Sequence, residues 1–368
     1  MIYLSTILQH LQLHLWPALE ETLGPLRPLD EQFTQIVALL DLGVFVPRYR
    51  WVGYGCPPQD RAKLLHAFVA KAVYQFPTTV ALLDALLSRP TLRRLCGWEY
   101  RGEIPSEATF SRAFAAFAQD ELPQLIHERM VRQHAGPKLV GHVSRDSTAI
   151  EAPERPARPP KEPESDAPPP PKRRRGRPRK GEEPPPPPPK RLELQWHRSL
   201  ADNLADLPHH CAVGCKRNSQ GYKETWIGYK LHLDVADGEV PLSAVLTSAS
   251  LHDSQAAIPL AQMTALRVTS LYDLMDSAYD APQIRAFSEQ LGHVPIIDPN
   301  PRRGEKIPLA PAQAERFKQR SSSERVNSLL KDRYGGRWVR VRGAAKVMAH
   351  LMFGVIALTA TALFARLC

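Results

Sequence analysis

Residues 226–247, WIGYKLHLDVADGEVPLSAVLT, predict a β-hairpin. Apolar and polar residues alternate on both sides of Asp237 and Gly238, which supply the turn. The two predicted strands run over Trp226–Val235 and Val240–Thr247. We therefore expect an antiparallel pair of strands in this half of the chain.

The segments on either side of the hairpin extend it into a mixed sheet. Five further elements follow from the apolar periodicity: strands over Lys138–Ser144, Val268–Met275 and Val294–Ile297, and helices over Ala281–Leu291 and about Ala312–Lys331. The order strand, hairpin, strand, helix, strand, helix is compatible with a ribonuclease-H-like fold. Residues 138–151 and 196–368 are predicted to form this domain.

Residues 1–137 are mainly helical in pattern, with apolar residues recurring at spacings of three and four, as at Leu64 and Phe68. The sequence PSEATFSR, residues 105–112, is typical of a capped helix start. A compact helical module can place one helix in a DNA groove, although helical bundles without that role are commoner. The predicted fold class is therefore α+β, with a helical, DNA-binding N-terminal domain before the mixed sheet.

Residues 152–195 interrupt both patterns, because sixteen of the 36 prolines fall there. Such a segment cannot bury enough apolar surface to fold, so we predict a disordered, extended insertion. Within it, Arg175-Gly-Arg177-Pro-Arg179 resembles an AT-hook, whose arginines enter the minor groove of A·T-rich DNA. The alternative is a basic tether that attracts phosphates nonspecifically.

The charge balance favours a polyanionic partner. Lys and Arg number 48 against 38 Asp and Glu, which gives a net charge of +10. Five cysteines without secreted-domain spacing indicate reduced thiols, so we expect a cytoplasmic, nucleoid-associated protein. Residues 347–365 are apolar enough to span a bilayer. We expect them instead to form a buried core helix, with no role for a membrane.

Three carboxylates are placed to meet in such a fold. Asp146 is expected just after the first strand, Asp276 at the end of a later strand, and Glu324 on the C-terminal helix. Oxygen ligands of this kind hold hard cations such as Mg²⁺, and phosphodiester transfer uses two such ions. Four other acids compete for these roles: Asp253, Asp273, Asp280 and Asp298. Strand neighbours alternate faces, so only one of Asp273 and Asp276 can face the site, and we choose Asp276.

The helix that carries Glu324 offers a further pattern. At 100° per residue, Phe317, Arg320 and Lys331 fall within about 40° of Glu324 on the helix surface. A metal-binding glutamate would then share its face with two cations that can hold phosphates. The alternative is a solvated face with ordinary pairing of Arg320 and Glu324.

The spacing Arg320-x3-Glu324-x6-Lys331 resembles the signature of a large group of bacterial insertion-sequence transposases, Tyr-x2-Arg-x3-Glu-x6-Lys. Phe317 stands where that signature has Tyr, which removes one hydroxyl that could touch DNA. Other segments also resemble sequences typical of this family: Asp146-Ser-Thr, Asp276-Ser-Ala-Tyr-Asp, Trp226-Ile-Gly-Tyr-Lys-Leu-His, residues 247–255, residues 331–337 and the N-terminal helical region.

The resemblance implies a DDE catalytic triad of Asp146, Asp276 and Glu324 that holds two Mg²⁺ ions, which Mn²⁺ can replace. Arg320 and Lys331 would position the DNA strand, with Phe317 beside them. The implied substrates are double-stranded terminal inverted repeats and target DNA, brought together by a homodimer. Two alternatives stay open: an endonuclease that cuts without joining, and a transposase-derived DNA-binding protein or repressor without catalysis.

Overall fold

The computed structural model describes residues 3–53, 57–157, 189–217, 220–301 and 307–367. Arg175, Arg177 and Arg179, the predicted AT-hook residues, lie outside these ranges, and their role stays a prediction. The described part of the chain begins with a helical region and continues into a mixed α/β region, which confirms the predicted α+β fold class.

The N-terminal region contains eight α-helices in its described residues. They are α1 (Leu4–His10), α2 (Trp16–Leu23), α3 (Pro28–Ala38), α4 (Arg61–Val73), α5 (Thr79–Ser88), α6 (Pro90–Leu95), α7 (Glu107–Gln119) and α8 (Leu122–His134). Side-chain caps begin α4 and α5, where Asp60 and Thr78 accept backbone N–H groups. The predicted helix start at 105–112 is confirmed by α7. Its N-cap residue, Ser106, however, contacts the Thr109 hydroxyl instead of a backbone N–H.

The C-terminal region combines six strands with seven α-helices in its described residues. The strands are β1 (Leu139–Glu151), β2 (Ala212–Arg217), β3 (Lys223–Ala236), β4 (Val240–Ser248), β5 (Thr269–Met275) and β6 (Val294–Ile297). The helices are α9 (Arg191–Gln195), α10 (Leu200–Asp206), α11 (Ser254–Ala265), α12 (Pro282–Gln290), α13 (Pro311–Phe317), α14 (Ser321–Arg333) and α15 (Ala344–Ala365).

The six strands form one mixed sheet that is ribonuclease-H-like. The central strand β1 pairs antiparallel with β3 and parallel with β5, while β5 pairs parallel with β6. The predicted hairpin is confirmed as β3 and β4, with Gly238 in the left-handed region at φ +70°. Strand β2 lies beside the first half of β3 and was not predicted.

Helices cover both faces of this sheet. Helices α11 and α12 lie on one face, and α14, α15 and α8 lie on the other. Apolar residues of α15 also pack against α3, α4 and α7, so one continuous hydrophobic cluster joins the N-terminal helices to the sheet. By length and composition α15 could cross a membrane, with mean hydropathy 2.0, but 83% of its most apolar stretch is buried within the fold. This burial agrees with the core helix that we expected.

Three details of the sequence prediction are wrong. Asp146 lies inside β1, which continues to Glu151, because β3 pairs with it from Val143 to Glu151. The single helix predicted over 312–331 is interrupted by a 3₁₀ turn at Lys318–Arg320. The segment 152–195, predicted to lack structure, contains α9, which packs against α11.

Candidate active site

The first carboxylate of the site is set by the alternation of β1. Consecutive strand residues point to opposite faces, so Arg145 faces α11 and Asp146 faces α14. The Asp146 side chain is 17% exposed, and its Oδ2 accepts a hydrogen bond of 3.0 Å from Asn327 Nδ2. Asp146 is thus held between the sheet and α14.

The second carboxylate follows the neighbouring parallel strand. Arg145 pairs with Met275, the last residue of β5, so Asp276 emerges beside Asp146. Asp276 begins a 3₁₀ turn, and its Oδ1 accepts the backbone N–H of Ala278 at 2.9 Å. This local bond fixes its side chain at the edge of the sheet.

The third carboxylate comes from α14, which packs on β1. Glu324 lies in the first turn of α14 and is 57% exposed, the most open of the three acids. Ser322, on the same turn, contacts Ser144 of β1 through their hydroxyls at 3.3 Å. This contact secures the start of α14 against the strand that carries Asp146.

Arg320 connects the three carboxylates. Its Nη2 lies 3.9 Å from Asp146 Oδ1 and 3.6 Å from Asp276 Oδ2, and its Nη1 bonds Glu324 Oε1 at 2.5 Å. The structure therefore brings all three predicted acids around one guanidinium. Three anions against one cation leave the cluster with an excess of negative charge.

Burial shifts the protonation equilibria of the two aspartates, and the neighbouring charges modify the shifts. Burial raises the pKa of the Asp146 carboxyl to about 6; Arg320 opposes the rise, and the Asp276 and Glu324 carboxylates add to it. Burial also raises the pKa of Asp276, which the hydrogen bond from Ala278 partly offsets. Burial disfavours the charge on Arg320, but Glu324 and the two aspartates outweigh it and raise the pKa of the guanidinium.

The competing acids Asp273 and Asp253 have partners of their own, although Asp253 lies close enough to Asp276 to raise its pKa. Asp273 is buried on the opposite face of the sheet, where it accepts a hydrogen bond from Ser288 Oγ at 2.7 Å and contacts His293. Asp253 accepts a bond from Lys230 Nζ at 2.8 Å. Despite burial, His232 and Lys230 hold the pKa of Asp253 below its usual range, and His293 and Arg145 do the same for Asp273. The prediction that Asp273 and Asp276 point in opposite directions is confirmed.

Two other predicted site residues, Phe317 and Lys331, make no contact with the carboxylates in the described part of the chain. Phe317 is half-buried at the end of α13, immediately before the 3₁₀ turn. Lys331 lines a separate cavity with Lys71 and Arg337. It lies seven residues beyond Glu324, a distance of about 10 Å along the helix axis.

Asn327 is a site residue that the sequence prediction missed. It donates to Asp146, and its own Oδ1 is buried without a hydrogen-bond partner in the described part of the chain. It lies three residues after Glu324, on the same side of α14. That spacing is the sequence signal that could have identified it.

The donor chemistry of the cluster fits a divalent metal. Carboxylate oxygens are the ligands that Mg²⁺ and Mn²⁺ prefer, and the unpartnered Asn327 oxygen adds another hard acceptor. Across residues 3–53, 57–157, 189–217, 220–301 and 307–367, no group of three His, Cys, Asp or Glu side chains is arranged so that it could hold a metal ion as it stands. Arg320 stands between the carboxylates, so metal binding requires it to give up contacts.

Comparison with known families places this geometry in context. Residues 196–360 match the model of the transposase DDE domain, and residues 21–116 match that of the transposase domain DUF772. The first match includes Asp276 and Glu324 and begins after Asp146. No curated protein and no solved structure matches the chain. The two matched domains, in this order, show that the chain belongs to the insertion-sequence DDE transposases.

Proposed function

We propose that this transposase binds the terminal inverted repeats of its own element, cleaves the ends and joins them to target DNA. The observation that carries the proposal is the convergence of Asp146, Asp276 and Glu324 on Arg320. The family generally uses a divalent metal, and these three acids would hold two Mg²⁺ ions, with Mn²⁺ as a substitute. It would act in the cytoplasm on the nucleoid, as a homodimer and without a membrane.

The proposed reaction consists of two displacements at phosphorus. A water molecule attacks the phosphodiester at the element's end, and the released 3′ hydroxyl then attacks a phosphodiester of the target. Each displacement exchanges one P–O bond for another, so no covalent protein intermediate is needed. Bound divalent ions would supply polarisation of the phosphate and activation of the attacking oxygen.

The residues of the chain have distinct parts in this proposal. Asp146, the most buried of the three acids, would hold the metal ions together with Asp276 and Glu324. Asn327 orients Asp146 through its hydrogen bond. When the carboxylates take up metal, Arg320 becomes free to hold the scissile phosphate, because a guanidinium matches phosphate oxygens as well as carboxylates.

A cleavage and joining assay tests the proposal. The DNA on both sides of the gene, which would carry the element's ends, is incubated with the protein, Mg²⁺ and target plasmid. Asp146→Asn, Asp276→Asn and Glu324→Gln should each abolish cleavage, since only metal ligation is removed. Glu315→Gln on α13 is the matched control. Cutting without joining would indicate an endonuclease. DNA binding by the wild-type protein without any cutting would indicate a repressor.

A further inference from the structure

A basic cleft lies between the N-terminal helices and the C-terminal region, away from the carboxylates. We define it by Lys71 on α4, Lys331 on α14, Arg337, Trp338 and Arg340 in the loop after α14, and His350 on α15. The cavity has a volume of about 480 Å³ and is open to solvent on one side. A second cavity of about 550 Å³ adjoins it and shares Lys71, Arg340 and His350.

The charge of the two adjoining cavities is strongly positive. Six cations line them: Lys71, Lys331, Arg337, Arg340, Arg342 and Lys346. Among the described residues, the only carboxylates in their lining are Asp332, which is ion-paired with Arg337, and Glu107. Like charges gathered in a concave surface attract polyanions, because low-dielectric walls focus their field.

Among these cations, Lys71 has the environment that most clearly favours a bound anion. Burial alone lowers the pKa of its ammonium to about 8. The described residues provide no salt bridge for it. A half-desolvated cation without a counter-ion is costly, and an anion entering the cleft would compensate it. Burial also lowers the pKa of the neighbouring His350 to about 4, so at neutral pH this imidazole adds no charge.

The loop after α14 is held in a fixed shape. Gly335 adopts φ +80°, and its carbonyl contacts His350 Nε2 at 3.0 Å. Gly336 donates to the Leu330 carbonyl at 2.9 Å, where a side chain would collide. As a result Trp338, which is 57% exposed, stands at the cleft with the Arg340 guanidinium 5.9 Å from its ring centre. An exposed indole beside a guanidinium is suited to stacking on a nucleobase.

Lys331 relates the cleft to the carboxylate cluster, because it lies on the same helix as Glu324. Glu324 and Lys331 differ by seven residues, so they occupy nearly the same side of α14 about 10 Å apart. At roughly 3.4 Å of helix rise per nucleotide, this separation corresponds to about three nucleotides of one DNA strand. Pro153, the second residue of the proline-rich segment 152–195, lines the second cavity, and its carbonyl accepts a bond from Arg342 at 2.9 Å.

We propose that the basic cleft binds the DNA backbone about three nucleotides from the phosphate at the carboxylates, with Trp338 packed against a base. This inference rests on the proposed function for its position, because the carboxylates define the phosphate from which the distance is counted. Lys71, Lys331 and Arg340 contact phosphates. The N-terminal helices thus contribute to DNA binding through α4.

Fluorescence anisotropy with a short labelled duplex tests the cleft. The measurement is made in EDTA, so cleavage does not contribute. Lys71→Met, Lys331→Ala and Arg340→Ala should each weaken binding roughly tenfold and lower the slope of log affinity against log salt by about one unit. Arg325→Ala is the matched control, because Arg325 lies on α14 but pairs with Glu239 outside the cleft. Trp338→Ala should weaken binding mainly to a duplex with a single-stranded end.

Two results would overturn the proposal. One is unchanged affinity and salt slope in all the cleft variants while their melting temperatures match wild type. The other is an equal loss in Arg325→Ala, which would show a general effect of net charge. The outcome is independent of catalysis. If cleft variants lose binding while Asp146→Asn cleaves normally, the cleft stands and the proposed active site fails; the reverse result rejects the cleft alone.

Discussion

Two adjacent residues of β1, Arg145 and Asp146, lie in opposite electrostatic environments. On the α11 face, Arg145 makes a bidentate pair with Asp234 at 2.7 and 2.8 Å, and both side chains are fully buried. Thr264 of α11 donates a further bond to Asp234, so the carboxylate oxygens are satisfied. The nearby carboxylates outweigh burial and raise the pKa of Arg145. Charge on this face is closely matched.

On the α14 face the charges are unequal and open. Three carboxylates share Arg320, whose Nε is buried without a partner in the described part of the chain, and Glu324 is largely in solvent. Breaking a matched, buried pair leaves an uncompensated charge and destabilises the fold, whereas an unmatched and accessible cluster gains from binding a cation. The comparison therefore separates a structural ion pair at Arg145 from a candidate site at the next residue of the same strand, on the opposite face of the sheet.

The largest effect is expected on the closed face. Asp234→Ala leaves Arg145 buried without its counter-ion, so the free energy of unfolding should fall by about 3–5 kcal/mol. Glu324→Ala removes a carboxylate of the open cluster and should cost less than about 1 kcal/mol. Urea denaturation of both variants measures the difference. Similar losses in the two would erase the distinction between the faces.

The next effect concerns Arg320 as a competitor of the metal. Arg320→Ala removes the cation that neutralises the three acids, so Mn²⁺ should bind more tightly to the protein. The same change removes a phosphate contact worth about 1.5–3 kcal/mol, and cleavage should slow roughly tenfold to a hundredfold. Calorimetric titration with Mn²⁺ and single-turnover cleavage provide the two readouts, with Arg325→Ala as control. Weaker Mn²⁺ binding in Arg320→Ala would show that Arg320 supports the metal site instead.

The smallest predicted effect is an increase in the free energy of unfolding when Asp146 is replaced by Asn. The pKa of Asp146 rises from 3.8 in the unfolded reference to about 6 in the fold. Between about pH 4 and pH 6 the folded state holds the extra proton, so this group's contribution to stability declines as pH rises through that window. In EDTA, Asp146→Asn should raise the free energy of unfolding by about 1–2 kcal/mol above pH 6, with little gain below pH 4. This is less than the roughly 3 kcal/mol of the full pKa change, because Asn327 loses its charged acceptor.

Asp273→Asn, on the other face of the sheet, should change the stability in the opposite direction in the same experiment. The pKa of Asp273 is lowered in the fold despite burial, chiefly by the hydrogen bond from His293 and by Arg145, so its charge stabilises the protein at neutral pH. Melting curves from pH 4 to 8 should show Asp273→Asn below wild type and Asp146→Asn above it. A lower melting temperature for both would mean that Asp146 is a structural acid.

The sequence predicted much of this arrangement because its signals are local. Alternation placed the β3–β4 hairpin, and parity along β5 separated Asp273 from Asp276 correctly. Strand β2 escaped because it follows Cys211 with only six residues and Gly214 in its middle, which leaves little periodicity to detect. The sequence did not reveal the interruption between α13 and α14, because Lys318–Arg320 contains no proline or glycine.

Other features depend on contacts between distant parts of the chain. No spacing rule places Lys71 of α4 beside Lys331 and Arg340, because the long helix α15 brings these segments together by packing on α4. Likewise, Arg320 was predicted to share a helix face with Glu324, but its approach to Asp146 and Asp276 arises from the docking of α14 on β1. The domain limits 1–137, 138–151, 152–195 and 196–368 stay predictions.

Metal binding tests the central claim most directly. Electron paramagnetic resonance of Mn²⁺ in the presence of a short duplex reports the bound ion without requiring cleavage. The account predicts that wild-type protein binds Mn²⁺ and that Asp146→Asn, Asp276→Asn and Glu324→Gln each lose most of this binding. Asp253→Asn and Glu315→Gln should retain it. Wild-type Mn²⁺ binding in all three variants of the carboxylate cluster would contradict the account.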